Sequence, residues 1–272
     1  MSPATSGGFW PNPMQHLLTR AGEAALAVVL RERTLLVFDF DGTLAPIVPR
    51  PDAARPSQAV IARLRQLSAR IPVAVIGGRS ADDLRARLGF EPAVVVGNHG
   101  AEAPIEAAGT VTSDQLDGFR ATLRAHANEL AGAAILVEDK GLSIALHYRL
   151  SRDRERASAV IERLHPGDDP LLRVTAGRMA VEVTLAAAPD IARAVLALVA
   201  RSRATHALVV SDATGEPMFA SAPPGWLSVR VGRGSGVSRA HFCLDGPQEM
   251  AMMLERTLAL LPGGERIPPR ST

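Results

Sequence analysis

A series of short aliphatic runs, each stopped by an acid, a glycine or a serine, constrains this chain more than any other feature. Thr34-Leu-Leu-Val-Phe-Asp39, Pro72-Val-Ala-Val-Ile76 and Ala93-Val-Val-Val-Gly97 come first, with helix-like stretches at Ser57–Arg70 and from Ser80 between them. Unbroken apolar runs of this length read as strands buried on both faces, which is how parallel strands covered by helices read. Ser80 opens its helix with Asp82 and Asp83 in the first turn, where the helix dipole favours acids. The β-α-β-α-β order predicts a right-handed, doubly wound parallel sheet in an α/β protein. The rhythm resumes late, with a helix over Pro189–Arg203, strands at Ala207–Ser211 and Leu227–Val231, and a closing helix at Gln248–Leu261.

Between these halves the pattern changes. Ser113–Leu130 and Ser151–Leu164 read as helices, while Ile135–Glu138, Leu142–Arg149, Leu171–Thr175 and Met179–Leu185 read as strands, the last two joined at Gly177. Strand pairs mixed with helices predict a small α+β insertion packed over the sheet as a cap. The predicted division is an N-terminal segment and helix over 1–30, a core over 31–105 and 187–262, a cap over 106–186 and a tail over 263–272. Residues 1–12 and the Pro/Gly/Arg tail from Pro262 are expected to be mobile, and a helix is expected from Pro13 to Arg31.

Hydrophobic residues make up 47% of the 272, enough for one large core and a smaller one, and aromatics only 4%, so aliphatic side chains must fill both. The net charge is +2, carried by scattered arginines; Lys140 is the one lysine. Without a basic stripe or stacking aromatics, a nucleic-acid surface is not expected. Neither a signal peptide nor an apolar run long enough to span a membrane is evident, and Cys243 is the lone cysteine. A cytoplasmic monomer with a buried, inert thiol is the expectation.

Chemistry concentrates at Asp39-Phe-Asp41-Gly-Thr-Leu44, immediately past the first run. Ligands of doubly wound sheets bind outside the carboxyl ends of the strands, so both carboxylates face the crevice. Two acids at i and i+2 before a glycine turn can divide nucleophile and acid/base roles while sharing a divalent cation.

This string resembles the first motif of the haloacid dehalogenase superfamily. The resemblance implies that Asp39 attacks phosphorus, that Asp41 protonates the leaving oxygen, and that magnesium sits between Asp39, the carbonyl of Asp41 and the phosphate. Further strings narrow it: Asp41-Gly-Thr-Leu-Ala-Pro46, Ile76-Gly-Gly-Arg-Ser80, Gly97-Asn-His-Gly-Ala-Glu102, Glu138-Asp-Lys140, His147-Tyr-Arg149 and Val181-Glu182-Val183. Val231-Gly232 and Leu244-Asp-Gly-Pro-Gln-Glu249 follow. In order and spacing these are similar to trehalose-6-phosphate phosphatases over roughly residues 30–260. That family implies a substrate, trehalose 6-phosphate, gripped from the cap by Glu138, Lys140, Arg149 and Glu182. It also implies an Asp212 metal ligand and contacts near the phosphate or sugar from Gly78, Arg79, Asn98 and His99.

Three positions depart from the family pattern. Its Ser-Gly-Arg reads Gly77-Gly78-Arg79 here. Its lysine after the Glu182 strand falls at Asp190, with Arg193 the nearest cation. Its paired aspartates read Ser211-Asp-Ala-Thr-Gly-Glu216, leaving Glu216 as a possible second acid. Each lost donor to transition-state charge typically costs about 10²–10³ in rate. A magnesium-dependent trehalose-6-phosphate phosphatase is therefore set beside two alternatives, a sugar-phosphate binder or regulator of the same fold and a phosphatase of another sugar phosphate.

Overall fold

The computed structural model describes residues 14–31, 33–48, 50–105, 111–167, 169–177, 179–233 and 237–261. The segments expected to be mobile at the two ends lie outside them. The chain runs β1 (Gln15–His16), α1 (Arg20–Val29), β2 (Thr34–Asp39), α2 (Gln58–Ser68), β3 (Val73–Ile76), α3 (Ala81–Leu88) and β4 (Val94–Val96). The insertion contributes α4 (Asp117–Ala125), α5 (Ala127–Gly132), β5 (Leu136–Asp139), β6 (Ser143–His147), α6 (Arg154–Leu164), β7 (Leu172–Gly177) and β8 (Ala180–Leu185). The return leg is α7 (Ile191–Arg201), β9 (His206–Ser211), α8 (Glu216–Ala220), β10 (Leu227–Val231), β11 (Phe242–Leu244) and α9 (Met250–Leu260).

Among the described residues a seven-stranded sheet has the order β1-β11-β10-β9-β2-β3-β4, with every pairing parallel. The chain steps outward from β2 through β3 to β4, then returns on the other side of β2 to begin again at β9. The crevice where the direction of winding reverses therefore lies between β2 and β9. Both faces are covered, as the aliphatic runs require. Leu36 and Phe38 of β2 join the cluster under α1, α2, α3 and α9, while Leu35 and Val37 join the one under α7 and α8. Burying each of these side chains contributes about 1.5–3 kcal/mol.

The second sheet is antiparallel, in the order β5-β6-β8-β7. Its strands alternate. Ile144, Leu146, Val183, Leu185 and Leu172 face Phe119 and Leu123 of α4 and Val160, Ile161 and Leu164 of α6. The other face, carrying Glu138, His147, Glu182, Thr184 and Arg173, lines a cleft above the parallel sheet. The fold class read from the sequence is thus found.

Several local expectations need correction. The helix expected over 13–31 starts only at Arg20, because Gln15 and His16 pair with Phe242 and Cys243 as an edge strand. Thr19 caps that helix by accepting from Gly22 N. The helix expected over Ser113–Leu130 begins as a 3-10 turn, Ser113–Leu116, and breaks at His126. β11 and α8 were not expected at all. Cys243 is only half-buried, and burial pushes its thiol up, with Asp245 adding to the effect. Among the described residues no helix is long and apolar enough to cross a membrane.

Candidate active site

The cleft between the two sheets has a volume of about 890 Å³ and is lined by every one of the site residues read from the sequence. Its floor is built by the ends of β2 and β9. Phe38 pairs with Val210, so the next residues, Asp39 and Ser211, stand side by side where the strands stop. Asp39 is 6% exposed; its Oδ1 accepts from Phe40 N at 2.8 Å and its Oδ2 from Ser211 Oγ at 3.0 Å. Burial pushes its pKa well above the usual carboxylate range, and Asp212 and Asp41 push it further. Asp212 is held by Thr214, whose N–H and hydroxyl donate to its Oδ1 at 2.7 and 2.6 Å. Its Oδ2 lies against Gly42, where an added Cβ would stand 2.8 Å away and where φ is +77°. Glycine is required there on both counts.

Mutually repelling carboxylates at the mouth of a buried crevice are a hard oxygen donor set. Asp39 and Asp212 could hold a divalent cation of the magnesium type, which would offset the repulsion that adds to burial in raising Asp39. The Asp41 side chain is otherwise engaged. Arg79 forks onto it, Nε to Oδ2 and Nη2 to Oδ1, both at 2.8 Å, and its Nη1 donates to Asp83 at 3.1 Å. Arg79 is 6% exposed and its guanidinium lies 5.5 Å from the Phe40 ring centroid. It grips the acid of the first motif, a contact that leaves little of it to meet a substrate.

Cap and floor are joined by one polar network. Lys140 Nζ donates to Gly78 O at 2.8 Å and to Glu182 Oε1 at 2.7 Å. Glu182 also meets His99 Nε2 at 3.6 Å, and its Oε1, 2.9 Å from Ser143 Oγ, shares that hydroxyl's single proton with Asn98. Burial raises the Glu182 pKa, but His99 and Lys140 outweigh it and bring it to about 2. Gly78 has no room for a Cβ because the His99 ring packs on it. Asn98 and His99 both adopt left-handed backbone, φ 48° and 53°. Asn98 donates to Glu102 at 2.8 Å and to Lys140 O at 3.2 Å, and accepts from Ser143 Oγ at 2.6 Å. Its polar atoms are thus spent on the cap, while the half-exposed His99 ring still faces the cleft. Glu138 pairs with His147 Nε2 at 2.8 Å, and Arg149 donates to Val48 O at 3.1 Å.

The departures also take their places. Asp190 lines the cleft and caps α7, accepting from Arg193 N at 2.8 Å. Arg193 itself is exposed on α7, outside the cleft lining. Glu216 is turned away as well; it meets Arg230 at 3.5 Å and accepts from Arg239 N at 3.0 Å. Neither side chain supplies the group missing from the pattern. A Cβ at Gly77 would meet Leu84 and Phe40 in ordinary contact, both apolar and buried. Sequence reading missed Ser211, Glu102 and Ser143, which orient Asp39 and Asn98. Glu102 ends the Gly97–Glu102 string and Ser211 opens the Ser211–Glu216 string, so both lay inside motifs that the sequence offered, whereas Ser143 lay in none.

The model of the trehalose-phosphatase family matches residues 37–232. The chain belongs to that family. It is 32% identical over 250 residues to the trehalose-phosphate phosphatase of Mycobacterium marinum, covering 84% of this chain and 62% of that protein. The chain therefore spans about three-fifths of the length of the curated relatives it matches first. Among solved structures, the C-terminal domain of the C. albicans trehalose-6-phosphate phosphatase superposes with a TM-score of 0.71 at 22% identity, covering 96% of this chain and 100% of that one. A trehalose-6-phosphate phosphatase related protein gives 0.64 at 20% identity, covering 81% and 95%. These likenesses agree on the fold, a parallel core with an inserted smaller sheet.

Proposed function

We propose that this chain is a magnesium-dependent phosphatase that hydrolyses trehalose 6-phosphate, with residues 31–105 and 187–262 as its catalytic core and 106–186 as its cap. The observation that carries this reading is the Asp39 carboxylate, fixed by Phe40 N–H and Ser211 at the floor of a cleft whose roof carries Glu138, Lys140, Arg149 and Glu182. Asp39 attacks phosphorus and the bond from phosphorus to the sugar oxygen breaks. Asp41 gives that oxygen its proton, and trehalose leaves. Asp41 then takes a proton from water as the water attacks the phosphate carried on Asp39, releasing inorganic phosphate and restoring both acids. To donate, Asp41 must release one arm of the Arg79 fork; as an acceptor of that fork it is arranged for the second half of the cycle. Magnesium, when bound, offsets the negative charge gathered between Asp39, Asp212 and the phosphate. On the roof, Glu138, Lys140, Arg149 and Glu182 offer acceptors and donors to sugar hydroxyls. Closure of the cap over the cleft excludes water.

A second reading, a sugar-phosphate binder without turnover, is favoured by Asp190, which places a carboxylate in the cleft where the family pattern has a lysine. One experiment separates them: phosphate release from trehalose 6-phosphate by purified protein, with and without magnesium, beside equilibrium binding of the same ester. Magnesium-dependent release supports the phosphatase. Binding without release supports the second reading, and faster release from another sugar phosphate overturns the substrate assignment.

A further inference from the structure

Charges in the cleft do not balance around a phosphate ester. The floor carries Asp39, Asp41, Asp190 and Asp212. Two of the cations that line it are already committed to acids, Arg79 to Asp41 and Asp83, and Lys140 to Glu182. Arg149, which donates to Val48 O at the far end of the cap sheet, and Arg173 are not, and Arg173 is the one whose row reaches the floor. Its Nη2 donates to two neutral carbonyls, Ala186 O at 2.7 Å and Ala188 O at 3.4 Å. Among the described residues no carboxylate lies within ion-pair distance of it, and its Nε and Nη1 have no partner.

The register of the cap sheet shows where this guanidinium stands. Arg173 pairs with Thr184, and Thr184 with Ser143, forming one row across β7, β8 and β6. That row is the one in touch with the floor, since Ser143 bonds Asn98 and the adjoining Lys140 reaches Gly78 O. Arg173 therefore occupies the floor side of the roof. The carbonyl of Ala188, which helps to orient it, lies two residues before Asp190 on the strap leading back to the core.

We propose that Arg173 is a phosphate-binding residue, supplying from the cap a fixed positive charge to the dianionic end of the substrate. A guanidinium anchored through one nitrogen keeps its other N–H groups free to fork onto phosphate oxygens. The proposal rests on the reading of the chain as a phosphate-ester site and deepens it.

The test is calorimetric binding of inorganic phosphate to the full chain with magnesium present, for wild type, Arg173→Gln, Arg173→Met and Arg173→Lys. Glutamine can still donate to Ala186 O, methionine fills similar volume, and both lack the charge. Both neutral variants are expected to bind phosphate about tenfold or more weakly, with Arg173→Lys recovering much of the loss. Binding of free trehalose should not change, and KM should rise in the same proportion for trehalose 6-phosphate and for a small aryl phosphate. Unchanged phosphate affinity in folded neutral variants overturns the proposal, as does a loss confined to the sugar ester. Neutral variants that fail to fold while Arg173→Lys folds but binds phosphate no better than tenfold below wild type count against it too, because Arg173 is then a structural strap. A wild-type protein that hydrolyses aryl phosphate but not trehalose 6-phosphate sinks the substrate assignment and leaves the Arg173 prediction standing.

Discussion

Asp39 sits in surroundings that disfavour its charge: it is buried, and Asp212 and Asp41 repel it. Its folded pKa is raised, so above that pKa the ionised carboxylate destabilises the unliganded fold. The cost fades as pH falls towards the ordinary value of 3.8. Asp39→Asn should therefore lower phosphate release by at least about 10³-fold while stabilising the magnesium-free protein by about 1 kcal/mol or more at pH 7. Urea melts at pH 7 and pH 5 check the second half; a gain that grows on acidification would refute the assignment of the repulsion. Lys140 presents the converse case. Removing it leaves Glu182 buried without its cation, so Lys140→Ala should destabilise the fold by about 1–3 kcal/mol. It should also weaken trehalose 6-phosphate about tenfold or more, with little effect on an aryl phosphate. Equal losses on both esters would place Lys140 at the phosphate.

At the scale of elements, Asp190 illustrates how one residue can serve a helix and a site together. The pattern of the family leads one to regard it as a misplaced charge, and the spacing Asp190 to Arg193 also fits a helix N-cap, which is what the structure contains. Asp190→Lys should cost about 1 kcal/mol through loss of that cap, whereas Asp190→Asn keeps the acceptor and removes only the charge. Faster turnover in Asp190→Asn at unchanged melting temperature is the expected outcome if the carboxylate opposes the phosphate. Strand reading succeeded where runs were long and aliphatic, as in β2 and β9. It failed at β1 and β11, of two and three residues, because so short a segment carries no period of its own and is a strand only by virtue of its neighbour.

For the whole molecule, the question is what holds cap to core. Glu182, Lys140, His99, Asn98 and Ser143 form a link in which Glu182 stays ionised down to about pH 2. A depressed carboxylate contributes its stability above the ordinary pKa of 4.5 and loses it as pH falls through the folded value. The stability difference between wild type and Glu182→Gln should thus shrink between about pH 4.5 and 2; a difference that stays unchanged over that range would show that the Glu182 charge does not hold the link.

The order of buried runs by itself determined a parallel, doubly wound sheet with an α+β insertion, because burial on one face or two writes a period into the chain. It likewise placed the Asp39-Phe-Asp41-Gly-Thr-Leu44 string at the end of a buried strand, because an acid and a glycine stop the aliphatic run there. The tertiary structure alone decided which polar groups meet. Asp39 and Ser211 are 172 residues apart and become neighbours only because β2 pairs with β9 at the point where the winding reverses. It alone decided that Arg79 grips Asp41, that Arg193 and Glu216 face away from the cleft, and that Arg173 faces into it. Hydrogen bonds and ion pairs are made between points in space, and the separation of two residues along a chain says little about their separation across a sheet.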